Sequence, residues 1–558
     1  MRIALLTEGG YPYARGEGGA WCDRLVRGLG HHDFDVYALS RSSRNESAGR
    51  VPTPPQVRRV LTERLWGDPV GAARAPRRTV RRAGRAAFLR AYAELAAALA
   101  GGGALGIETR AERFAAGLYG LAEVAAEHGS LAGLLRGEDA LVALEGACRA
   151  PGVRPLLRDI VVTELLTVAG LVEQQLRPLS APWYGPGELG AADLCHAASG
   201  GPAALPGLLA KRFCGTPLIV TEYTVRVREA LLAHRAAGLA PAVRALLGDY
   251  HRLLAAETYR RAALVTPGSA HVRRWQERCG ARRDRMRTVQ PGIDASPFAR
   301  VGEAAEAATT PAASLAPTVA WVGRPDPAKD LVALLHAFHA IRREEPRARL
   351  RIFPVRAAGE PFASYLSHCR ALAARLFPAG PDGSPVSFEE IGSPGGPEAA
   401  DAYAAGDVVV LSSSAEGFPL SLVEAMFCGR ATVSTDVGAV REVIGGTGLV
   451  VPPRDPGALA QATLELLRGR ERAALLGAAA RERALALFTP ARCADAFQES
   501  YLTVVARHPV RREPLRDAAG APRPFISPAE SLSPTRLAPT PPPAARVPAT
   551  AAPGGPHR

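Results

Sequence analysis

The stretch 407–445 reads DVVVLSSSAEGFPLSLVEAMFCGRATVSTDVGAVREVIG and decides the fold. It opens with Val408–Leu411, a short apolar run of the kind found in strands buried on both faces of a parallel sheet. Pro419 suits the first turn of a helix, which we expect to end at Gly429. Ala431–Thr435 is the next predicted strand. The stretch therefore predicts a strand–loop–helix–strand unit whose loop lies where open α/β sheets bind ligands.

Two glutamates in this unit indicate the chemistry. Glu416 lies in the loop and Glu424 in the predicted helix. Between them, Gly417 permits a tight backbone path, and the free amides of the helix N-terminus form an anion site. This order would suit a sugar, a diphosphate and a ribose in a row. A surface loop acid plus a helix acid paired with an arginine is the alternative, and spacing alone leaves both open.

The spacing of Glu416 and Glu424 is the E-x7-E spacing of retaining glycosyltransferases of family 4. The surrounding letters, from EGFPLSLVEAMFCG onward, resemble that family's signature almost throughout. The resemblance implies the GT-B fold, in which two Rossmann-like domains face each other across a cleft. It also implies that Glu416 contacts the hydroxyls of the donor sugar and Glu424 the ribose of its nucleotide. Gly417, Phe418 and Pro419 complete this part of the donor site.

A second motif, GRPDPAKDL, follows a predicted strand at 318–322. Gly323, Arg324 and Lys329 match the family's GR-x4-K-D element, so the resemblance places Gly323 at the donor and Arg324 and Lys329, with Glu416, in catalysis. A departing nucleoside diphosphate carries concentrated negative charge, which two positioned cations stabilise. Lys329 is one of only two lysines in an arginine-rich chain, and the two cations are not interchangeable. A solvated turn of charged residues is the alternative.

The N-terminus predicts the first unit of a Rossmann-like domain. A strand at 3–7 leads into a glycine-rich loop and then a helix at about 20–29. Gly16, Gly18 and Gly19 could let backbone amides approach the donor's phosphates, although such loops are often plain turns.

The letters YPYARGEGGAW around this loop resemble one subgroup of family 4, the Pel-exopolysaccharide type, which has RGG where this chain has RGEGG. His196 and Glu222 match further motifs of that subgroup, whereas Tyr223 stands where the subgroup has a histidine. The resemblance gives His196 a catalytic role and places Glu222 and Tyr223 on the acceptor side. A hydrogen-bonded core histidine is the alternative for His196.

Composition bounds the remaining possibilities. The chain has 558 residues, enough for two large domains, and a net charge of +14 carried almost wholly by arginine. This charge is weak evidence for nucleic acid, and we expect no nucleic-acid partner. The eight cysteines form no CxxC pair, so neither a metal site nor a redox motif is predicted. No signal peptide or 18-residue apolar span is evident, so we expect a cytoplasmic protein, with peripheral attachment at the inner membrane face left open.

The chain divides into four predicted parts. Strands alternate with helices in the first and third parts, which makes the fold class α/β. The predicted strands of the first part lie at 3–7, 36–39, 193–196, 218–221, 264–266 and 286–290, and those of the third at 318–322, 349–355, 408–411, 431–435 and 448–451. The parts are an acceptor-side domain at 1–298 with a helical insertion at about 45–180, a linker at 299–317, a nucleotide-sugar domain at 318–506 whose last helix returns to the first domain, and a disordered Pro/Ala/Arg-rich tail at 507–558. The basic segment 77–95 could lie on anionic lipid, although a solvated helix face is the commoner reading.

Together these features predict a retaining glycosyltransferase that moves a sugar from a nucleotide-sugar donor, expected to be a UDP-sugar, to a glycan acceptor. The resemblance implies no cofactor and no essential metal, and places the enzyme in exopolysaccharide or cell-surface glycan synthesis, with a membrane-bound polysaccharide synthase as a further partner. A GT-B nucleotide-sugar epimerase is one alternative. A catalytically weakened sugar-nucleotide-binding subunit is another, suggested by Tyr223 and the altered glycine loop.

Overall fold

A computed structural model describes residues 1–13, 16–41, 43–47, 49–66, 82–101, 106–307, 316–356, 360–378 and 383–510. Within these residues the chain forms two six-stranded parallel sheets, each packed with helices. The predicted α/β class is confirmed. Its physical basis is that the central strands are mainly apolar and buried, because helices cover both faces of each sheet.

The first sheet has the strand order β3-β2-β1-β4-β5-β6, the order of a dinucleotide-binding sheet. Its strands are β1 (Arg2–Glu8), β2 (Asp33–Ser40), β3 (Val57–Arg64), β4 (Leu194–Ala197), β5 (Leu218–Glu222) and β6 (Leu264–Pro267). All except β3 coincide with runs that the sequence predicts as strands.

Two predictions for this sheet are wrong. β3 lies in the region predicted as helical, because VRRVLTER places charged residues among the apolar ones, as befits an edge strand that is only partly buried. The predicted strand 286–290 forms a single isolated bridge, between Val265 and Met286. It runs along the open edge of β6, and Pro291, which has no amide donor, follows it.

The other main elements of the described first half are helices, and those between β3 and β4, from residue 82 onward, lie in the region predicted as a helical insertion. The helices are α1 (Glu17–Gly28), α2 (Ser43–Ser47), α3 (Arg82–Ala100), α4 (Ile107–His128), α5 (Ala132–Leu135), α6 (Glu138–Arg149), α7 (Pro155–Arg158), α8 (Val162–Leu176), α9 (Ala204–Cys214), α10 (Arg226–Ala236), α11 (Pro241–Arg261) and α12 (Ala270–Arg278).

The second sheet has the order β12-β11-β10-β7-β8-β9. Its strands are β7 (Thr318–Gly323), β8 (Arg349–Pro354), β9 (Val386–Phe388), β10 (Val408–Leu411), β11 (Ala431–Thr435) and β12 (Leu449–Val451). Only the three-residue β9 has no counterpart among the predicted strands. The helices are α13 (Ala299–Ala307), α14 (Leu331–Glu344), α15 (Glu360–Leu376), α16 (Ala399–Ala404), α17 (Leu420–Phe427), α18 (Val440–Ile444), α19 (Pro456–Arg468), α20 (Arg470–Leu487) and α21 (Pro490–Arg507).

The last helix, α21, packs on the first half of the chain. Phe497 and Tyr501 are fully buried in one cluster with Trp21 of α1 and Ile3 of β1. The side chain of Gln498 is hydrogen-bonded to the ring of His32. The first sheet is therefore covered on one side by the far end of the chain.

Some predictions meet residues outside the described ranges. The predicted linker 299–317 begins as helix α13, because an alanine-rich run favours helix, and its residues 308–315 lie outside. So do Arg15 of the glycine-rich loop, 77–81 of the basic segment and 511–558 of the predicted tail. Among the described residues, no helix is both long enough and apolar enough to cross a bilayer.

The helical insertion offers a test of its packing. At Gly117, where α4 crosses α3, an added Cβ would lie 2.6 Å from the Leu95 amide nitrogen and 2.8 Å from the Ala91 carbonyl oxygen. Gly117→Ala should therefore lower the free energy of unfolding by about 1–3 kcal/mol, the cost of overpacking a core.

Gly170 is the matched control, because an added Cβ there meets nothing within 4 Å. Gly170→Ala should be neutral or stabilise the protein by up to about 1 kcal/mol through helix propensity. Denaturant unfolding of both variants checks the pair, and equal stabilities would contradict the close approach of α3 and α4.

Candidate active site

The site forms where the loops after β7 and β10 meet. These two strands are neighbours at the centre of the second sheet, so their carboxyl ends lie side by side. The amide of Ser414 donates to the Ala328 carbonyl at 2.8 Å, and the Ser412 hydroxyl donates to the Lys329 carbonyl at 2.8 Å. These bonds fix the loop that carries Lys329 against the loop that carries Glu416.

Lys329 and Glu416 form an ion pair at this junction. Their side chains are only 18% and 10% exposed, and the Ser413 hydroxyl also donates to Glu416 Oε1 at 3.0 Å. The lysine turn is held from both sides: Asp326 accepts from the Ala328 amide, and Asp330, with φ of +49°, caps α14. The two predicted residues are thus in direct contact.

Arg324 lies one residue beyond the end of β7 and is exposed. Within the described part of the chain, its guanidinium has no hydrogen-bond or ion-pair partner. Its five N–H donors therefore remain available to an anion such as a phosphate.

Glu424 lies on α17 and accepts a hydrogen bond of 2.6 Å from the Tyr403 hydroxyl at Oε2. Burial raises the pKa of Glu424 to about 7, and the charge of Glu17 adds to the rise. The Tyr403 hydrogen bond and the charge of Lys329 act in the opposite direction. Charges from both halves of the chain therefore act on Glu424: Lys329 belongs to the second half and Glu17 to the first.

The loop before α17 is tightly packed. An added Cβ at Gly438, where φ is +58°, would lie 2.5 Å from the Glu416 carbonyl oxygen and 2.6 Å from that of Gly417. Phe418 packs edge-on against Phe488, with ring centroids 5.8 Å apart, and Pro419 occupies the N-cap position of α17. Sequence reasoning missed Gly438, although a glycine in the next predicted loop was a visible signal.

The two halves touch beside this loop. A Cβ added at Gly417 would lie 3.4 Å from the side chain of Thr224, which follows β5. Nearby, Glu442 Oε2 accepts a hydrogen bond of 2.6 Å from the Ala270 amide at the start of α12. The loop that carries Glu416 therefore borders the carboxyl edge of the first sheet.

The predicted glycine loop lies at the start of α1. Gly16 and Gly18 are exposed and Gly19 is buried, and no side chain caps the helix. The amides of its first turn therefore have no intrahelical partner. The charge of Glu17, in this first turn, raises the pKa of Glu424 on α17.

His196 lies in the core instead. Its side chain is fully buried, Nδ1 is 2.6 Å from the Tyr501 hydroxyl and Nε2 is 2.6 Å from the Thr221 hydroxyl. Burial lowers the pKa of His196 to about 3, so the ring is neutral near pH 7. This geometry favours the alternative of a hydrogen-bonded core histidine over a catalytic one.

Glu222 is also buried and is fully engaged. It accepts hydrogen bonds from the Gly200 amide at 3.2 Å, the Gln276 side chain at 2.8 Å and the Tyr259 hydroxyl. Burial raises the pKa of its carboxyl group. Glu222 therefore joins the β4 loop to α11 and α12, which is a structural task.

Tyr223 packs its ring edge-on against Trp21, with centroids 5.3 Å apart. An added Cβ at Gly268, just after β6, would lie 2.2 Å from the Tyr223 ring. Gly268 thus leaves the room that the phenol ring occupies.

Among the described residues, no group of three or more His, Cys, Asp or Glu side chains could hold a metal ion.

Comparison with known proteins identifies the enzyme class. A Glycosyl transferases group 1 profile matches residues 316–469, and a profile for a domain of unknown function, DUF3492, matches residues 1–284. A D-inositol 3-phosphate glycosyltransferase of Saccharomonospora viridis is 31% identical over 304 residues, which are 54% of this chain and 68% of that protein. The chain belongs to the group 1 glycosyltransferases. A second D-inositol 3-phosphate glycosyltransferase, from Thermobispora bispora, is 28% identical to this glycosyltransferase over 54% of the chain and 70% of the relative.

Solved structures agree on the fold. Sucrose-phosphate synthase of Thermosynechococcus elongatus superposes with a TM-score of 0.55 at 18% identity, over 91% of this glycosyltransferase and 99% of that chain. Anabaena HepE in complex with UDP superposes with a TM-score of 0.52 at 14% identity, over 90% and 100%. The predicted GT-B architecture is confirmed.

The geometry of His196 predicts what its loss does. His196→Ala should lower the free energy of unfolding of this glycosyltransferase by about 2–4 kcal/mol, because it leaves a cavity and removes the hydrogen-bond partner of the buried Tyr501 hydroxyl, whereas Thr221 keeps its bond to Thr266. Donor affinity of the folded variant should stay unchanged. Urea unfolding and calorimetry check this, and wild-type stability with lost turnover would restore the catalytic interpretation.

The lowered pKa of His196 adds a pH dependence. The unfolded state takes up a proton at His196 below about pH 6.5, but the folded state does not do so until about pH 3. Stability should therefore fall as the pH drops through this window. The fall should be less steep in His196→Ala than in the wild type.

Proposed function

We propose that this group 1 glycosyltransferase is a retaining enzyme that moves a sugar from a UDP-sugar to a glycan acceptor. The observation that carries the proposal is the contact of Lys329 with Glu416, whose loops follow β7 and β10. With the exposed Arg324 just after β7, two cations and a carboxylate lie in loops at the edge of the sheet where such folds bind ligands. The fold relative HepE, solved with UDP and with UDP-glucose, supports this choice of donor.

In this proposal the donor's diphosphate binds to Arg324, Lys329 and the amides around Gly417. The cations stabilise the negative charge that develops on the diphosphate as the glycosidic bond breaks. The uncapped first turn of α1, with Gly16, Gly18 and Gly19, adds amide donors from the opposite wall. Of the groups named here, Arg324, Gly16 and Gly18 are exposed, Lys329 and Gly417 are partly buried, and Gly19 is buried.

Glu416 and Glu424 hold the two ends of the donor. Glu416 accepts hydrogen bonds from the sugar hydroxyls and lies beside Lys329, so the sugar is next to the phosphate that leaves it. Glu424 lies further along α17, where its carboxylate can accept from the ribose hydroxyls. Carboxylates suit both tasks because an ionised carboxylate only accepts hydrogen bonds, and the hydroxyls of the sugar and of the ribose can donate them.

Retention follows from a reaction on one face of the sugar. The bond from C1 to the phosphate oxygen breaks, a bond from the acceptor oxygen to C1 forms on the same face, and the departing phosphate takes the acceptor's proton. No protein base is then needed. The engagement of both nitrogens of His196 and the burial of Glu222 support this route.

The acceptor is proposed to be a glycan in exopolysaccharide or cell-surface synthesis, on the strength of the YPYARG motif of the Pel type. A membrane-bound polysaccharide synthase would be the partner at the inner membrane face. The curated relatives are named for D-inositol 3-phosphate, which makes a phosphorylated polyol the second candidate. Assays of donor consumption with both acceptor classes separate these, and donor conversion without any acceptor would indicate an epimerase.

The catalytic cations give the sharpest test of the transfer reaction. Lys329→Ala and Arg324→Ala should each lower kcat by roughly 100-fold or more, because each removes a charge aimed at the leaving diphosphate. Lys211→Ala is the matched control, since Lys211 is the chain's other lysine and its ammonium contacts the Arg261 carbonyl far from the site. Steady-state kinetics on folded variants measures this, and near-normal turnover of Lys329→Ala would exclude it from the mechanism.

The two glutamates should separate by ligand. Glu424→Ala should weaken binding of UDP itself, whereas Glu416→Ala should weaken only the intact UDP-sugar, since UDP has no sugar to lose. Calorimetry with both ligands checks this. Equal losses for both ligands in both variants would contradict the assignment of sugar to Glu416 and ribose to Glu424.

A further inference from the structure

The group behind Glu424 is a tyrosine that sequence reasoning did not single out. Tyr403 lies on α16 and is fully buried, and its hydroxyl donates to Glu424 Oε2 at 2.6 Å. We propose that Tyr403 is a positioning residue, which orients the Glu424 carboxylate and keeps it ionised for the ribose hydroxyls of the donor. This inference rests on the proposed function, because it takes Glu424 as the ribose ligand.

The ring of Tyr403 is held in place by aromatic neighbours. It packs edge-on against Phe298, with centroids 5.9 Å apart and an interplanar angle of 71°. Phe298 in turn stacks on Phe427 of α17, with centroids 6.3 Å apart. Phe427 follows Glu424 by three residues on the same helix. The Tyr403 hydroxyl is therefore fixed relative to the helix whose carboxylate it contacts.

This hydrogen bond leaves acceptor capacity on Glu424. An ionised carboxylate has about four lone-pair sites on its two oxygens, and Tyr403 takes one of them. The remainder can accept from two adjacent ribose hydroxyls. A protonated carboxyl group loses part of that capacity and becomes a donor itself, so the ionisation state of Glu424 decides how well it serves a diol.

The surroundings of Glu424 act on its pKa in opposite directions. Burial and Glu17 of α1 raise its pKa, to about 7, whereas Tyr403 of α16 and Lys329 of the turn before α14 lower it. Cys428, the C-cap residue of α17, also interacts with Glu424, but burial raises the pKa of that thiol to about 12, so it stays neutral. Tyr403 is thus one of two groups that favour the anion, and the only uncharged one of the two.

Tyr403→Phe tests the hydroxyl alone, because phenylalanine keeps the ring and its packing. At pH 7 the variant should bind the nucleoside diphosphate about tenfold more weakly, the scale of one hydrogen bond to a charged group. The loss should shrink towards pH 9, where Glu424 is ionised in either protein. The midpoint of the pH dependence of affinity should move upward from that of the wild type.

The experiment is titration calorimetry of the full chain between pH 6 and pH 9. The tightest binder among UDP, ADP and GDP serves as the probe. Its 2′,3′-dideoxy analogue, which lacks both ribose hydroxyls, serves as the comparison ligand. Tyr403→Phe should bind the dideoxy analogue as the wild type does. In the background of Glu424→Gln, the tyrosine change should cost no further affinity, because the group it acts through is gone.

A matched control removes a hydroxyl elsewhere. Tyr184 donates to the Pro178 carbonyl in the first half of the chain, so Tyr184→Phe should leave nucleotide affinity at all pH values unchanged. If Tyr403→Phe weakens the ribose and dideoxy probes equally, or shows the wild-type pH midpoint, Tyr403 only packs and the inference is overturned. If the wild type binds none of the three nucleotides, the proposed function itself fails. Failure of the Tyr403 inference alone leaves nucleotide binding by the wild type intact, so the two failures are distinguishable.

Discussion

The hydrogen bonds that tie the β10 loop to the β7 loop are the constraint on which the candidate site depends. β7 and β10 are distant in sequence, and their parallel pairing alone places Lys329 and Glu416 on one edge. The bonds from Ser412 and Ser414 to the lysine turn then fix the separation of the two loops. Asp330, in a left-handed conformation, starts α14 immediately behind. A change in any of these contacts would alter the separation of the Lys329 ammonium and the Glu416 carboxylate.

The first sheet also depends on α21, which comes from a distant part of the chain. α21 completes the apolar cluster over the first sheet, and the hydroxyl of Tyr501 satisfies one nitrogen of His196. A buried imidazole without that partner would be costly. The first half thus relies on a helix that follows the second half in sequence. This connection explains why a polar residue at the end of β4 need not belong to the chemistry: its position is set by α21.

Sequence reasoning succeeded where burial is simple and failed where tertiary contacts decide. Val408–Leu411 and Ala431–Thr435 were predicted with their observed bounds, because a strand covered on both faces is a continuous apolar run. Val57–Arg64 was missed because an edge strand keeps charged residues. The Lys329 and Glu416 motifs were visible as letters, yet their contact was not. Tyr403 gave no signal at all, since one tyrosine in an alanine-rich helix is indistinguishable from core.

The charges of the site also explain how it can be both stable and receptive. Buried ions are costly unless paired, and the contact of Lys329 with Glu416 satisfies both. A donor would offer each of them a substitute, a phosphate for the ammonium and sugar hydroxyls for the carboxylate. The ion pair would then be exchanged for new contacts, so binding would leave no charge unmatched. Glu424 has no such cation in contact within the described ranges and relies on Tyr403. Glu424, the proposed ribose ligand, is therefore the site residue whose charge state a single neutral hydrogen bond can decide.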